Sequence, residues 1–265
     1  MMQRSMALAG VLMAMAAPAH AQQAGGEEAP RRYRVAIGAQ AVPSYPGADH
    51  NAVRPLFDFA TARGDALFEY EAADESPNIS LYDRNGFEAG IAVGLQSTRT
   101  QRRVGADLSR VGFSVEPGVF ARYYLAPQLR AYGELRKGVS GHKGGVAMLA
   151  LDYVQRDGDR WLLAIGPRVN LSDAKYRRAY FGVTPRDAAA AGIPTYQVGN
   201  NVVHSVGLAA NGVRQLTTRW GLYGYLGYDR LTGDAARSPI TQRLGSKNQF
   251  SGGLALSYTF GRGVR

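Results

Sequence analysis

The chain has 265 residues, with 31 Lys and Arg against 21 Asp and Glu, so that its formal net charge is +10. It contains no cysteine, which excludes a disulfide framework, a thiol nucleophile and any Cys-ligated metal site. Hydrophobic residues make up 45%, too many for a disordered chain. Beyond the N-terminal segment no apolar run approaches the roughly 20 residues that a spanning helix needs, which excludes a helical membrane protein but not a β-barrel.

The first 21 residues have the pattern of an export signal. Arg4 provides a positive start, residues 7–17 are apolar, and Ala19-His20-Ala21 has the small-x-small pattern of a cleavage site. We therefore expect residues 1–21 to be a signal peptide. Residues 22–31 are predicted to be a flexible periplasmic lead-in.

Apolar residues occupy every second position through most of the remaining chain. Clear examples are residues 87–95, 111–123 and 161–171, and weaker segments fit the pattern at residues 66–72 and 78–82. Because neighbouring side chains of a strand point to opposite faces, the pattern predicts about twelve half-buried strands. Besides Glu69 and Glu71 of a weaker segment, the opposite faces carry these charged residues: Arg34, Arg54, Asp58, Glu88, Glu116, Arg122, Arg130, Glu134, Arg136, Asp152, Arg168 and Asp229.

Two arrangements could use such strands. A soluble sandwich buries the apolar faces between two sheets, whereas a transmembrane barrel turns them to lipid and keeps the polar faces inside. Two observations favour the barrel: tight and long connections alternate along the chain, and aromatic residues such as Trp161 and Trp220 concentrate at strand ends.

We therefore predict an all-β fold, a closed transmembrane antiparallel β-barrel of about twelve strands with short periplasmic turns and longer extracellular loops. It spans residues 32–260, and residues 261–265 form a C-terminal tail. In this topology residues 66–72 are a strand and residues 73–77 an outer loop. Since the inward charges of both signs largely neutralise one another, we expect a plugged or very narrow pore.

Several segments carry longer motifs. YFGVTPRDAAAAGIPTY runs from Tyr180 to Tyr196 and YDRLTGDAARSPI from Tyr228 to Ile240, after SYPG at residues 44–47 and RPLFD at residues 54–58. In this order, and behind a signal peptide, they resemble the MipA/OmpV family of outer-membrane proteins over essentially the whole mature chain. One difference is that such barrels usually end on an aromatic residue, whereas here a tail follows Phe260. The motif residues are Tyr180, Phe181, Gly182, Val183, Gly192, Pro194, Tyr196, Leu231, Gly233, Asp234, Ala235, Ser238 and Pro239.

The resemblance implies a non-enzymatic protein of the bacterial outer membrane. The family's named member is a scaffold that bridges a murein lytic transglycosylase and a murein synthase, so these enzymes are the implied partners. Other members are tied to osmotic or antibiotic response and to adhesion. The alternatives are therefore a narrow channel and an uptake or adhesion protein.

Two places within the motifs could act as sites. Residues 185–191 predict a short helix with Pro185 at its start and Gly192 as its stop. Arg186 and Asp187 in this helix form either a constriction or partner surface, or an anchor that closes the barrel mouth. Asp234 and Ser238 either bind a ligand or stabilise a turn through side-chain to backbone bonds.

An outer-membrane lipid hydrolase would need a Ser nucleophile and a His base on one face. His204 and Ser205 are adjacent on a strand and point to opposite faces, although a pair assembled across strands stays open. The scattered histidines have no metal-site spacing. We expect no enzyme activity, no metal and no cofactor.

The positive charge of the chain has two possible uses. Arg is spread over turns, loops and lumen rather than along one stripe, so we expect no nucleic-acid binding. Basic residues of the outer loops pair with the phosphates of lipopolysaccharide or form a solvated surface. These residues are Arg102, Arg103, Arg110, Lys143, Lys175, Arg177, Arg178, Arg237, Arg243 and Lys247.

Overall fold

The structure is a computed structural model and describes residues 29–261. The predicted signal peptide, most of the lead-in and nearly all of the predicted tail lie outside the described residues. The strands are β1 (Arg31–Pro43), β2 (Asn51–Arg63), β3 (Asn78–Arg84), β4 (Phe87–Gln96), β5 (Ser114–Ala126), β6 (Leu129–Lys137), β7 (Gly145–Asp157), β8 (Trp161–Ser172), β9 (Val203–Gln215), β10 (Trp220–Leu231) and β11 (Asn248–Gly261). The helices are α1 (Gln101–Val104), α2 (Ala174–Phe181), α3 (Pro185–Ala191), α4 (Gly233–Arg237) and α5 (Pro239–Arg243).

The strands form one antiparallel sheet that curls around a central space, here called the lumen. The order is β2-β1-β11-β10-β9-β8-β7-β6-β5-β4-β3, so the strands nearest the two chain ends, β1 and β11, are hydrogen-bonded neighbours. Within the described part of the chain β2 and β3 are the two edges of the sheet and are not paired with each other. We call the space between them the seam. The all-β antiparallel fold is confirmed. Residues 29–261 form eleven strands instead of the predicted twelve, and within this range no hydrogen bonds close the sheet at the seam.

The two faces of the sheet have opposite polarity. Outward side chains are apolar and exposed, such as Leu149 at 54% and Leu254 at 74%, whereas the inward Asp152 and Ser257 are fully buried. A sandwich would bury its apolar face, so this pattern excludes it. Within residues 29–261, no helix has the length and apolar character needed to cross a membrane.

Residues 64–77, between β2 and β3, enter the lumen and are here called the luminal segment. The predictions of a strand at residues 66–72 and of an outer loop at residues 73–77 are therefore wrong. The alternation is present, but Phe68 and Tyr70 are packed inside, each 3% exposed. In a wall strand the adjacent carboxylates Asp74 and Glu75 would point to opposite faces, one of them towards lipid. Inside the lumen both reach arginines.

The two ends of the sheet differ. Tight turns follow β3, β5, β7 and β9 at the end where β1 starts and β11 finishes, which we call the turn end. The opposite loop end carries the longer connections and all five helices. Barrels of the outer membrane keep short turns in the periplasm and longer loops outside, so the turn end is assigned to the periplasm.

The connections of the loop end pack into a layer that we call the cap. Helix α3 has standard ends: Thr184 caps its start, Pro185 follows, and Gly192, with φ +66°, ends it in the left-handed conformation. Two apolar clusters hold the cap together, and both include side chains from segments far apart in sequence. Their buried members include Tyr45, Val104, Leu108, Val183, Ile193 and Ile240 in one cluster, and Val111, Tyr176, Tyr180, Phe181, Leu231 and Ala235 in the other.

Candidate functional site

Inward arginines of three strands hold the luminal segment. Arg122 on β5 forms a bidentate pair with Glu88 of β4, with N–O distances of 2.6 Å. The same guanidinium lies 3.3 Å from Glu69 and 3.3 Å from Glu71 of the luminal segment. Arg122 is only 3% exposed, whereas the side chains of Glu69 and Glu71 remain 49% and 40% exposed. These pairs tie the start of the segment to the wall.

Arg130 on β6 and Arg168 on β8 hold the next part of the luminal segment. Arg130 is 0% exposed and pairs with Glu75 of the segment and with Asp152 of β7. Arg168 donates from Nε to Asp74 Oδ2 at 2.6 Å and from Nη1 to Asp152 Oδ1 at 2.7 Å. Asp152 therefore lies between the two arginines. One ion cluster is thus formed by Asp74, Glu75, Arg130, Asp152 and Arg168.

The last part of the luminal segment is fixed at Ser76. Arg136 of β6 donates from Nη1 to Ser76 Oγ at 2.8 Å, and it pairs with Glu116 and Glu134 at 3.4 and 3.2 Å. Of the charges predicted to face inward, ten lie in these groups: Glu69, Glu71, Glu88, Glu116, Arg122, Arg130, Glu134, Arg136, Asp152 and Arg168. Arg34, Arg54, Asp58 and Asp229 lie outside them.

The luminal segment contributes four carboxylates that sequence reasoning did not bring together. Glu69 and Glu71 were assigned to a wall strand, and Asp74 and Glu75 to an outer loop. The adjacent carboxylates Asp74 and Glu75 argue against a strand in the wall, because one of them would face lipid, but they are equally compatible with an outer loop, so the sequence holds no signal that places them in the lumen. The ion pairs hold the luminal segment against the contiguous strands β4 to β8, so they act as a structural lock inside the lumen.

The motif residues of the two long loops pack against each other in the cap. Tyr180 and Phe181 are fully buried, and Ser238 donates from Oγ to the Phe181 carbonyl oxygen at 2.7 Å. Tyr196 donates from its hydroxyl to the Asp234 carbonyl oxygen at 3.1 Å. Of the other motif residues, Val183, Leu231, Ala235 and Pro239 are buried, Gly182 and Gly233 are half-buried, and Gly192 and Pro194 are exposed.

The Asp234 side chain is 2% exposed and joins three segments of the cap. Its Oδ1 accepts from Arg237 at 2.7 Å, and its Oδ2 accepts from the Asn201 backbone N–H at 3.3 Å and lies 3.8 Å from Arg177. These contacts use the carboxylate within the cap. Arg177 is itself 2% exposed, so it is not available to lipopolysaccharide phosphates as the sequence suggested.

Asp187 joins α3 to the connection that precedes β5. Ser109 donates to its Oδ1 from the backbone N–H at 2.8 Å and from Oγ at 2.7 Å, and Thr184 donates to its Oδ2 at 2.9 Å. Burial raises the pKa of the Asp187 carboxyl, but these hydrogen bonds outweigh burial and hold the pKa below its usual value. Since the carboxylate form is the one that is hydrogen-bonded, Asp187 is an anchor of the cap.

We expect the cap to loosen in acid through Asp187. Because its pKa is lower in the folded protein, its contribution is complete above the unfolded pKa of about 4 and is lost as the pH falls through the folded value. Amide protection factors of α3, corrected for the intrinsic exchange rate, should fall below about pH 4. In Asp187→Asn the protection should be lower at pH 7, and the acid-dependent loss should be smaller. An unchanged acid profile in the variant would contradict the assignment.

The β1–β2 loop contains a chain of hydrogen bonds that sequence reasoning did not predict. It joins Ser44, His50 and Asp49. His50 Nε2 lies 3.0 Å from Ser44 Oγ, and His50 Nδ1 lies 2.8 Å from Asp49 Oδ1. This is the order of groups in a serine hydrolase. Ser44 is only 2% exposed, and these hydrogen bonds hold the β1–β2 loop together. Sequence reasoning looked for a Ser and a His on one face of a strand, whereas these residues are brought together by a loop.

The lumen contains two cavities, and of these the one beside the seam is lined by residues of the luminal segment. One, near the loop end, has a volume of about 400 Å³ and is lined in part by Arg54, Glu116 and Asp229. The other lies beside the seam and has a volume of about 610 Å³. Among the residues that the structure describes, no group of three or more His, Asp or Glu is arranged to hold a metal ion.

A curled antiparallel sheet with an apolar outer face, an ionic interior, tight turns at one end and long loops at the other defines an outer-membrane β-barrel protein. A sequence model of the family described as MltA-interacting protein MipA matches residues 35–260. The chain belongs to this family, as its motifs predicted, and it is a protein of the bacterial outer membrane. A search of curated proteins gave no match.

Solved structures with a similar arrangement are outer-membrane proteins. The NanC porin is 9% identical, with 87% of this chain and 99% of that chain covered and a TM-score of 0.40. An outer-membrane channel from Pseudomonas putida F1 is 11% identical, with coverages of 91% and 100% and a TM-score of 0.42. The channel DcaP of Acinetobacter baumannii is 8% identical, with coverages of 87% and 96% and a TM-score of 0.39.

Proposed function

We propose that this protein is an outer-membrane scaffold whose turn end binds a murein lytic transglycosylase and a murein synthase in the periplasm. The observation that carries the proposal is the lock of buried ion pairs between the luminal segment and the wall. A scaffold functions with an obstructed lumen, whereas a channel needs a continuous water path. The family description, MltA-interacting protein, supports a partner of this kind.

The surface available to such partners is shallow and basic. Arg63, Arg160 and Arg219 are exposed at the turn end, and Arg160 has a side-chain exposure of 78%. Arg156, which also lies at the turn end, donates to the Phe68 carbonyl oxygen and to Asp159. Turns of this length do not form a deep pocket. Binding is therefore expected to depend on electrostatic contacts that salt screens over about 8 Å.

Charge reversal at the turn end tests the proposal. The variant Arg63→Glu, Arg160→Glu, Arg219→Glu should associate with the purified lytic transglycosylase about tenfold more slowly and with a weaker salt dependence, because exposed charges act on the association rate. The matched control reverses the exposed Arg102, Arg110 and Arg186 of the loop end and should bind as the original protein does. The opposite result in surface plasmon resonance would reject the proposed surface or the scaffold function.

A narrow channel is the second candidate, because the lumen contains one cavity near the loop end and another beside the seam. In that case the segment would act as a gate between them. Stable single-channel steps from the purified protein in a planar bilayer would favour the channel over the scaffold.

A further inference from the structure

The cavity beside the seam connects the lumen with the outer surface. Its walls include Phe59 and Ala60 of β2 and Ile79 and Ser80 of β3, the two unpaired edges of the sheet. Phe59 and Ile79 point outward and are 54% and 55% exposed. The cavity therefore opens through the seam to the surface that the bilayer covers.

Two opposite charges that face this cavity, Arg34 and Asp58, attract each other from neighbouring strands but form no hydrogen bond or ion pair with each other or with another described residue. Arg34 of β1 is 8% exposed, and its guanidinium lies 4.8 Å from the centroid of the Phe68 ring without a hydrogen bond or ion pair to any described residue. Asp58 of β2 also lines the cavity, and its Oδ2 is buried without a hydrogen bond to the described residues. Burying an unpaired charge is costly. Both groups would gain from a ligand that carries the opposite charges.

The other charges around the cavity indicate the charge pattern that a ligand needs there. Asp159 pairs with Arg156 at 3.0 Å and with Arg32 at 3.1 Å, so these groups already have partners. Arg31, which also lines the cavity, is exposed to solvent. Glu69 and Glu71 pair with Arg122 from one side, but their side chains remain 49% and 40% exposed. The cavity thus offers a free guanidinium beside several carboxylates, which is complementary to a headgroup containing one phosphate and one ammonium group.

The position of the cavity indicates which leaflet supplies the ligand. Arg34 lies three residues into β1, about 10 Å from the turn end at 3.3–3.4 Å per residue. The leaflet on this periplasmic side consists of phospholipid. The outward Phe57 and Leu81, beside the seam, are 70% and 71% exposed and offer apolar contacts to acyl chains.

We propose that the seam cavity binds the zwitterionic headgroup of a phospholipid from the periplasmic leaflet. The phosphate pairs with Arg34, and the ammonium group pairs with Asp58 and the exposed parts of Glu69 and Glu71. The acyl chains stay in the bilayer along the seam. This site is independent of the murein-enzyme surface.

Native mass spectrometry of the full chain tests this proposal. The protein is incubated in detergent with equal amounts of phosphatidylethanolamine, phosphatidylglycerol and diacylglycerol, and the retained lipids are counted. We expect one phosphatidylethanolamine per chain, with retention of the other two lipids at least about tenfold lower, which corresponds to about 1.4 kcal/mol. Arg34→Met should lower phosphatidylethanolamine retention by a similar factor. Arg54→Met, an inward arginine at the other cavity, is the matched control and should retain it fully.

A second variant separates binding from folding. Ala60→Trp keeps both unpaired charges but fills the cavity, so it should also lose the lipid. Folding of every variant is verified by its gel mobility before and after heating. Equal retention of the three lipids by the original protein, or unchanged retention in folded Arg34→Met and Ala60→Trp, would overturn the proposal.

Discussion

Replacing Arg130 by Met is expected to lower the free energy of unfolding by about 3–5 kcal/mol. Arg130 is fully buried, pairs with Glu75 and Asp152, and lies over the rings of Tyr70 and Tyr132 at 4.5 and 5.4 Å. In the variant Asp152 keeps Arg168, but Glu75 becomes a buried charge without a partner. The cost comes mainly from that unpaired carboxylate.

Urea titration in lipid vesicles, followed by gel mobility, measures this effect. Arg160→Met is the matched control, because Arg160 pairs with Asp157 in an exposed site and such pairs contribute about 0–1 kcal/mol. Adding Glu75→Gln to Arg130→Met should recover part of the loss, since it removes the unpaired charge. A loss below about 1 kcal/mol for Arg130→Met, the size of an exposed pair, would show that the luminal segment is not locked as described.

Gly166→Ala is expected to destabilise the fold by about 3 kcal/mol or to prevent folding, because overpacking at a backbone contact cannot relax. Gly166 points inward from β8. A Cβ there would overlap the carbonyl oxygen of Leu151 and lie 2.6 Å from Asp152 Oδ1. The methyl group would therefore push β7 and β8 apart and disturb the carboxylate between Arg130 and Arg168.

Gly212→Ala on the neighbouring strand β9 is the control. Gly212 points outward, and a Cβ there would contact only Leu163 Cδ2 at 3.3 Å, with the next atom at 3.8 Å. A flexible leucine facing lipid can move aside, so the change should be within about 0.5 kcal/mol, as for other surface substitutions. Similar folding yields for both alanine variants would contradict the close inward packing.

Local patterns were sufficient for most of the wall. The alternation at residues 161–171 predicts β8 (Trp161–Ser172), and its charged face at Arg168 lies inward as the alternation requires. The weak segment at residues 78–82 is β3 (Asn78–Arg84). The helix predicted from Pro185 and Gly192 is α3 (Pro185–Ala191). These features depend on residues close in the chain, and such signals are readable from sequence.

Other features depended on contacts between distant residues. The alternation of Phe68 and Tyr70 with Glu69 and Glu71 is the same for a strand in the wall and for an extended segment inside the lumen. Similarly, the loop that joins Ser44 to His50 has no periodic pattern. In both cases the local sequence is compatible with two arrangements, and only the surrounding structure distinguishes them.

The sequence by itself determined the class of protein: an all-β chain with apolar faces outward, an ionic interior and the motifs of one outer-membrane family. Side-chain alternation is a local property, so it is visible without the fold. Only the tertiary structure decided that the luminal segment leaves the wall, because this depends on Arg122, Arg130 and Arg168 from three other strands. Their charges need partners inside the lumen, and Asp74 and Glu75 can both provide them only from there. Because residues 64–77 lie inside the lumen, β2 and β3 are not paired with each other, and the seam lies between them.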